Sequence, residues 1–342
     1  MKSYDVTIGM PVYESEPYLR KALESALAQT YPSIEFLLVD DGSRDGSHRM
    51  MEAFRDSHPR GGDIRILCHE VNWGVAASRN QIIDEARGAY LYFMDSDDVI
   101  RADTIDLLLQ NSRRCDAEIV FGSYEKIELS GERRVYKYSS VPFIGEDLLA
   151  CFAYRKYGGI QASACNFLVS TSFLRGSGVR FLDTPFWEDY AFVFDLVTHV
   201  SRAVMLSDIT YTYLCRENSL SAYQQRTSIT KEEVMRNVAT IDHLKATSAP
   251  LYNKVYFPNR CRNIMLGDFF MACYILRRRK DIRPQVTAAE IKAMMSHPAT
   301  WRQIWSFREV RLENMLLCVL GKLPAWLCVV CIWMIGKMKK LI

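Results

Sequence analysis

The chain has 342 residues, of which 49% are apolar and 24% are charged, and its formal net charge is +3. This composition is ordinary for a globular protein and excludes a largely disordered chain. A net charge so close to zero gives no electrostatic reason to expect a nucleic-acid-binding protein. The ten cysteines show no paired spacing across the main body, which argues against a disulfide framework and favours a reducing, cytoplasmic compartment.

The first part of the chain alternates between strand-like and helix-like patterns. Pro11 is expected to end the first strand, because it interrupts an apolar run. Strands that alternate with helices predict an α/β fold with a mostly parallel, Rossmann-like sheet flanked by helices. Apolar runs and helical spacing predict, in chain order, strand 6–10, helix 19–27, strands 34–39 and 64–67, helix 76–86, and strands 90–94 and 118–121.

Different patterns follow in the second half of the chain. Residues 125–140 alternate between apolar and polar side chains, which indicates an antiparallel excursion, and helical spacing prevails from Thr230 onward. The uninterrupted apolar stretch at 323–335 is shorter than the ~20 residues that a membrane-spanning helix needs. Because it carries tryptophans and three lysines follow it, we expect a peripheral contact with an anionic membrane surface. A buried terminal helix or an oligomer contact is the alternative.

Two acidic clusters follow predicted strands. Asp40 and Asp41 come after the second parallel strand, and Asp95, Asp97 and Asp98 come after the strand at 90–94. In an open parallel sheet, ligands bind beyond the carboxyl ends of the strands. Carboxylates gathered there repel one another unless a cation joins them, and oxygen ligands with no histidine or cysteine cluster nearby favour Mg²⁺ or Mn²⁺. A turn or a helix cap is the alternative explanation for either cluster alone.

A series of short motifs occurs in a fixed order in this region. The segments are TIGMPVYE at 7–14, SALAQTY at 25–31, LVDDGS at 38–43, NWGVAASRN at 72–80, GAY at 88–90 and DSDD at 95–98. This series resembles the opening of glycosyltransferase family 2, covers the first third of the chain densely and is far more specific than any single motif. The resemblance implies a GT-A type fold, a nucleotide-diphosphate sugar as donor, and inversion at the anomeric carbon.

The resemblance also implies roles for side chains near the strand ends. Each of these residues has a structural alternative; Arg79, for example, would serve as the ion-pair partner of a carboxylate. By position in the family's motifs, the donor-binding residues are Pro11, Tyr13 and Glu14 lining the nucleotide pocket, Asp41 on the base, Arg79 near the diphosphate, Asp95 near the ribose or sugar, and Asp97 on the metal.

A further acidic motif lies at residues 186–192. The run FWEDYAF resembles the family's Glu-Asp motif, which makes Asp189 the base that deprotonates the acceptor hydroxyl, with Glu188 orienting the acceptor. The alternative is a helix N-terminus, where acidic residues favour the positive end of the helix dipole. Residues 213–221 resemble a segment that closes over the donor phosphates, where Arg216 would neutralise charge developing on the diphosphate.

The expected protein is therefore a metal-assisted, inverting glycosyltransferase in cell-surface polysaccharide or lipopolysaccharide assembly. Its acceptor would be a saccharide or a lipid-linked saccharide, and it would work at the cytoplasmic face of the cell membrane. Because the Gln-x-x-Arg-Trp motif of processive synthases is missing, we expect addition of a single sugar. The expected parts are a catalytic domain at 1–225, with a nucleotide-sugar half to 125 and an acceptor half from 126, a helical extension at 226–310 and a membrane-associating segment at 311–342.

Other classes of protein remain as alternatives. A catalytically inactive nucleotide-binding scaffold of the same fold would show defects in the acidic series, and the series has none. A sugar nucleotidyltransferase would need a glycine-rich basic loop after the first strand. A dinucleotide-dependent oxidoreductase would need Gly-x-Gly-x-x-Gly there, where the sequence has Pro-Val-Tyr-Glu instead.

Overall fold

The structure is a computed structural model, and it describes residues 2–155, 159–216 and 228–342. The chain packs as two compact units, each assembled from separate stretches of sequence. The first unit contains Met1–Leu149, Ser163–Asp183 and Phe192–Ser219. The second unit contains Ala150–Ala162, Thr184–Ala191 and Leu220–Ile342.

A large mixed sheet forms the centre of the first unit. In space its strands follow the order β3-β2-β1-β4-β9-β6-β10-β5, with β7 beside β6 and β8 beside β10. Their bounds are β1 (Tyr4–Val12), β2 (Ile34–Asp40), β3 (Ile64–Cys68), β4 (Gly88–Phe93), β5 (Val99–Ile100), β6 (Ile119–Ile127), β7 (Arg133–Tyr136), β8 (Val141–Ile144), β9 (Phe167–Ser170) and β10 (Arg202–Leu214).

The pairing of the strands changes from parallel to mixed across the sheet. The strands β3, β2, β1 and β4 run parallel, which confirms the predicted parallel sheet for the first part of the chain. Beyond β4 the sheet becomes mixed, because β9 is antiparallel to both β4 and β6, whereas β6 and β10 run parallel. The pairing of β6 with β7 is antiparallel and confirms the excursion predicted at 125–140.

Helices accompany the sheet and dominate the second unit. The predicted apolar face of the first helix is confirmed, because Leu19, Leu23 and Leu27 are buried. The bounds are α1 (Glu16–Leu27), α2 (Ser47–Ser57), α3 (Val75–Glu85), α4 (Thr104–Cys115), α5 (Leu148–Arg155), α6 (Thr171–Ser177), α7 (Glu188–Leu196), α8 (Lys231–Ser248), α9 (Phe257–Arg277), α10 (Ala288–Met294), α11 (Trp301–Ser306), α12 (Arg311–Lys322) and α13 (Ala325–Met338).

The first strand is longer than the sequence predicts. The prediction that Pro11 ends it is wrong, because β1 continues to Val12 and Pro11 pairs with Val39 of β2. On the side of β1 that faces β4, the last backbone hydrogen bond is the one that the Gly9 carbonyl accepts from the Met94 N–H (3.0 Å). Backbone groups alternate in direction along a strand, so the backbone nitrogen of Pro11 faces the same side as that of Gly9. It lies beyond the end of the hydrogen bonds between β1 and β4. Its missing N–H therefore costs no sheet hydrogen bond.

The second unit shows how the late helices are organised. Helix α8 buries Val234, Val238, Ile241 and Leu244, which confirms the face predicted from residue Thr230 onward. Thr230 also caps this helix through a reciprocal capping box, which satisfies N–H groups that the first turn leaves unpaired. In this unit the short strands β11 (Ile229–Thr230) and β12 (Ile282–Arg283) pair in parallel. Among the residues that the structure describes, no helix combines the length and apolarity needed to cross a membrane.

Candidate active site

The residues that follow β1, β2, β3 and β4 lie at one edge of the sheet, because these strands are parallel. Tyr13 follows β1, Asp41 follows β2, His69 follows β3 and Asp95 comes two residues after β4. The parallel pairing of β1 with both β2 and β4 brings the two acidic clusters to this edge. It is the edge at which ligands of open α/β sheets bind.

Asp41 is buried and is held by its own chain. Its Oδ1 accepts hydrogen bonds from the Trp73 N–H (2.8 Å) and His69 Nδ1 (2.6 Å), and its Oδ2 accepts one from the Gly74 N–H (2.8 Å). Gly74 has a φ of +93°, a conformation that a side chain would strain. Asp41 therefore orders the loop between β3 and α3, and its contact with a nucleotide base stays a prediction.

Two residues of this loop were not identified from the sequence. The Trp73 ring stacks on the His69 ring with centroids 4.3 Å apart, yet Trp73 is 59% exposed. Tyr13, on the loop after β1, is exposed as well. Exposed aromatic faces of this kind stack readily on planar ligands. The signal for His69 was its position directly after the third strand, equivalent to that of Asp41 after the second.

Three carboxylates converge after β4. One oxygen from each of Asp95, Asp97 and Asp98 lies within 4.8 Å of the other two. Burial, together with repulsion from Asp95, raises the pKa of Asp97, although Arg216 opposes the shift. Burial and the same repulsion raise the pKa of Asp98 well above its usual value. Burial and mutual repulsion therefore disfavour the ionised forms of Asp97 and Asp98.

Asp98 ties the acidic run to a strand of the sheet. Its Oδ2 accepts a hydrogen bond from the Tyr211 hydroxyl (2.6 Å), and its Oδ1 accepts one from the Leu214 N–H (2.8 Å). The same Tyr211 oxygen accepts a hydrogen bond from the Asp95 N–H (3.2 Å). Tyr211 and Leu214 belong to β10, so this strand positions the loop after β4. The sequence carried no local signal for Tyr211, because it lies more than a hundred residues from the motif.

Arginines partner the other two carboxylates. Arg79 Nη2 donates a hydrogen bond to Asp95 Oδ1 (2.8 Å), so the ion pair considered as its alternative role is present. Arg216 Nε forms an ion pair with Asp97, and its guanidinium lies 5.1 Å from the centroid of the Tyr18 ring. Arg216 thus reaches the predicted metal ligand. The rest of the segment predicted to cover the phosphates, at 217–221, lies outside the described residues.

The loop after β1 supports the same edge. Pro11 is buried in the sheet, whereas Glu14 is exposed and its N–H donates a hydrogen bond to Ser43 Oγ (3.1 Å). The hydroxyls of Ser15 and Ser96 lie 2.7 Å apart and join this loop to the acidic run after β4. The three loops that follow β1, β2 and β4 are therefore hydrogen-bonded to their surroundings, as a preorganised binding edge requires.

Glu188 and Asp189 lie in the first turn of α7, within the second unit, and both are half-buried. The alternative explanation of this motif, a helix N-terminus, is thus present, and it favours the negative charge of both residues. Their catalytic roles stay predictions.

A cavity of about 240 Å³ lies within the second unit, next to this motif in the sequence. Phe186 and Trp187 line it from the residues before α7, and Tyr274 and Arg277 line it from α9. Aromatic rings together with one guanidinium suit a ligand that combines apolar faces with negative charge.

An α/β fold whose mixed sheet has a carboxylate cluster beyond its parallel strands is the arrangement of GT-A glycosyltransferases. The structure is similar to the crystal structure of S. aureus TarS 1-349 in complex with UDP-GlcNAc, with a TM-score of 0.59 and 17% identity. The similarity covers 81% of this chain and 88% of that chain. The predicted fold class is therefore confirmed: the protein has a GT-A type fold with a helical C-terminal region.

Comparison of sequences identifies the family. The family model described as Glycosyl transferase family 2 matches residues 7–170. An uncharacterized glycosyltransferase of Haemophilus influenzae is 30% identical over 204 residues, which are 59% of this chain and 75% of that protein. The Escherichia coli UDP-Glc:alpha-D-GlcNAc-diphosphoundecaprenol beta-1,3-glucosyltransferase WfaP is 27% identical over 243 residues, covering 70% of this chain and 88% of WfaP. The chain belongs to glycosyltransferase family 2 and is a nucleotide-sugar-dependent glycosyltransferase, as predicted.

Proposed function

We propose that the protein transfers one sugar, with inversion, from a nucleotide-diphosphate sugar to a lipid-linked saccharide during assembly of a cell-surface polysaccharide or lipopolysaccharide. The observation that carries this proposal is the crowded carboxylate cluster of Asp95, Asp97 and Asp98 at the ligand-binding edge of the sheet. The name of WfaP, which is similar to this chain, describes a saccharide acceptor carried on diphosphoundecaprenol. That name supports a lipid-linked acceptor here.

The donor would bind at the edge formed by the loops after β1, β2 and β4. Pro11, Tyr13 and Glu14 would line the nucleotide pocket, and the exposed rings of Tyr13 and Trp73 offer faces for the base. Asp41 would hydrogen-bond the base directly, or would support base binding by holding the Trp73 loop in place.

A divalent cation fits the acidic cluster. The donor atoms are carboxylate oxygens, which suit Mg²⁺ or Mn²⁺. Burial and the neighbouring Asp95 raise the pKa of Asp97, and a cation bound beside it would favour its ionised form. Asp97, with Asp95 beside it, would hold the ion. Bound there, the ion would supply positive charge to the diphosphate of the donor.

Arg216 has a double role in this proposal. In the metal-free protein it neutralises part of the Asp97 charge through their ion pair. A metal ion would compete with Arg216 for the same carboxylate. Arg216, once displaced, would stabilise charge that develops on the leaving diphosphate. Arg79 would keep Asp95 in place through their hydrogen bond.

The chemical step would be a single displacement. The acceptor oxygen attacks the anomeric carbon, and the bond from that carbon to the diphosphate oxygen breaks. The hydroxyl proton passes to the Asp189 carboxylate, and the nucleoside diphosphate leaves. Glu188 would orient the acceptor. The position of both acids in the family's motif supports these roles.

The cavity in the second unit would receive part of the acceptor. Trp187 lies two residues before Asp189, so a ligand in this cavity would lie close to the first turn of α7. The aromatic rings would contact sugar faces or isoprenoid carbons, and Arg277 would pair with a phosphate of the carrier lipid.

An exposed apolar surface supports a peripheral membrane contact near the cytoplasmic face. It runs over α12 and α13, where Leu312 is 74%, Trp326 66% and Met338 75% exposed. Lys337 Nζ lies 4.8 Å from the centroid of the Trp333 ring. Tryptophan and lysine side chains next to exposed leucines are typical of helices that lie in a membrane interface. Such a contact would bring the enzyme to a lipid-linked acceptor.

The test is a product assay with a panel of nucleotide sugars, Mn²⁺ and a lipid-linked saccharide acceptor. Release of nucleoside diphosphate is expected, whereas release of pyrophosphate would identify a nucleotidyltransferase. Asp189→Asn should lower kcat by ~10²- to 10⁴-fold, because general base catalysis is lost, and should leave donor affinity unchanged. Asp183→Asn, a change at an exposed aspartate, is the matched control. Normal turnover by Asp189→Asn would rule out this residue as the base.

A further inference from the structure

A second group of metal-ligand side chains lies apart from the acidic run after β4. Asp40 Oδ2 lies 2.9 Å from His48 Nδ1, and Cys68 Sγ lies 3.7 Å from the same nitrogen. All three atoms lie within 4.8 Å of one another. The expectation that no histidine or cysteine cluster lies near the acidic residues is therefore wrong. The fold brings His48 and Cys68 to Asp40.

Three elements of the first unit build this group. Asp40 is the last residue of β2, Cys68 is the last residue of β3, and the two are direct partners in the parallel register. Partners in a parallel ladder point to the same face of the sheet. His48 is the second residue of α2, and its ring reaches both side chains. The position of each ligand is thus set by regular secondary structure rather than by a loose loop.

Further contacts orient two of the three side chains. Asp40 Oδ1 accepts a hydrogen bond from the Ser43 N–H (3.0 Å), which leaves Oδ2 directed at His48. On the other side of the imidazole, Glu52 Oε2 lies 3.7 Å from His48 Nε2. A carboxylate behind the second nitrogen of a histidine is a common support in metal sites, because it fixes the ring and makes the first nitrogen a better ligand.

The two separations from His48 Nδ1 are close to those around a tetrahedral ion, and the third, between Asp40 Oδ2 and Cys68 Sγ, is at most 4.8 Å. With bonds of about 2.0 to 2.3 Å, a zinc ion keeps its ligand atoms about 3.3 to 3.6 Å apart. The observed separations of 2.9 and 3.7 Å from His48 Nδ1 require only small side-chain movements to reach that range. Cys68 is exposed and His48 is half-buried, so an ion has access from solvent.

We propose that Asp40, His48 and Cys68 form a binding site for a thiophilic divalent cation of the zinc class. Thiolate and imidazole ligands select such ions, whereas the carboxylate oxygens of the acidic run select Mg²⁺ or Mn²⁺. The protein therefore has two cation sites with different ligand chemistry. An ion at the second site joins the ends of β2 and β3 to the start of α2 and stabilises the first unit.

Cobalt and zinc titrations of the full-length, metal-stripped protein test this site. Co²⁺ should give a thiolate-to-cobalt charge-transfer band that saturates at one equivalent, and Zn²⁺ should displace it and raise the melting temperature. Cys68→Ser should remove the band and lower zinc affinity by more than about 100-fold. Glu52→Gln should lower zinc affinity by about 10- to 100-fold, the usual cost of losing a supporting carboxylate.

Matched controls separate this site from the other cysteines and from catalysis. Cys115→Ser and His58→Gln, changes in the same unit, should leave the band and the affinity unaltered. Asp97→Asn should also keep them, because it removes a ligand of the proposed Mg²⁺ or Mn²⁺ site only. His48→Gln serves as a second ligand variant, and circular dichroism checks that each variant folds. The site would be refuted if Cys68→Ser kept the charge-transfer band unaltered. It would also be refuted if the wild-type protein did not bind one equivalent of zinc tightly.

Discussion

Asp41 and Asp97 come after β2 and β4, which flank the same central strand, yet their surroundings differ. Asp41 accepts hydrogen bonds from the Trp73 and Gly74 N–H groups and from His69. Asp97 lies among other carboxylates, and burial and repulsion raise its pKa in spite of its ion pair with Arg216. A buried carboxylate with enough donors orders the backbone, whereas one with too few donors attracts a cation. Two acids with the same sequence signature therefore have different surroundings, and we expect them to have different tasks.

Between these two acids, the larger expected effect on catalysis comes from Asp97→Asn, because the amide removes the charge that binds the cation. We expect kcat to fall by at least about 100-fold, the usual loss when an electrostatic group of an active site is removed. Stimulation by Mn²⁺ should disappear with it, as measured by nucleoside diphosphate release across a metal titration. Asp103→Asn, which alters an exposed aspartate paired with Arg101, is the control and should behave as wild type. If Asp97→Asn were still fully stimulated by Mn²⁺, the proposed difference in role between Asp97 and Asp41 would be wrong.

Asp41→Asn should affect stability more than metal binding. An asparagine amide cannot accept all three hydrogen bonds, so buried donors of the loop lose their partner. We expect the free energy of unfolding to fall by about 1–3 kcal/mol, measured by chemical denaturation. Metal affinity, measured by calorimetry, should stay at the wild-type value, and donor affinity should fall because the Trp73 loop is less ordered. Glu70→Gln, at an exposed neighbouring position, controls for the lost charge. Weaker metal binding in Asp41→Asn would contradict this assignment.

The raised pKa of Asp97 predicts a pH dependence with a definite sign. The folded, metal-free protein holds this proton more tightly than the unfolded chain does. The stability that Asp97 contributes is therefore present below its usual pKa and is lost as the pH rises through the raised value. Metal affinity should run the opposite way and fall by about tenfold per pH unit below the raised pKa, because the ion needs the carboxylate. Denaturation and calorimetry at several pH values check both slopes. Asp97→Asn should reduce the slope of stability to the part that Asp98 contributes.

The smallest expected effect on cation binding comes from Arg216→Ala. Removing the arginine frees Asp97 from its ion pair, so the affinity for Mn²⁺ should rise by a factor of about three to five, in line with ion pairs worth up to about 1 kcal/mol. Affinity for the nucleoside diphosphate should fall at the same time. Arg216→Lys should restore part of both values. A parallel loss of metal and diphosphate affinity would show that Arg216 supports the cation rather than competing with it.

Much of the parallel part of the fold was predictable. Buried strands of a parallel sheet are continuous apolar runs, so β1, β2 and most of β4 were recognised from the sequence. The edge strand β3, which is mostly half-buried, was recognised from its short apolar run. Helix α2 was missed because only Ser47 and Met51 of it are buried, which leaves no apolar stripe to detect. The insertion of β9 between β4 and β6 was also missed, because strand order depends on pairing between distant segments.

The sequence by itself determined the family, the strands that carry the acidic clusters and the list of acids that follow them. Only the tertiary structure decided which partners these acids have: His69 and Trp73 for Asp41, Tyr211 for Asp98, Arg216 for Asp97, and His48 with Cys68 for Asp40. Strand ends follow from local patterns of apolar residues, which the chain carries within a few positions. The charge state and task of a carboxylate depend on donors and cations within about 3 Å, and the fold supplies these from distant parts of the chain.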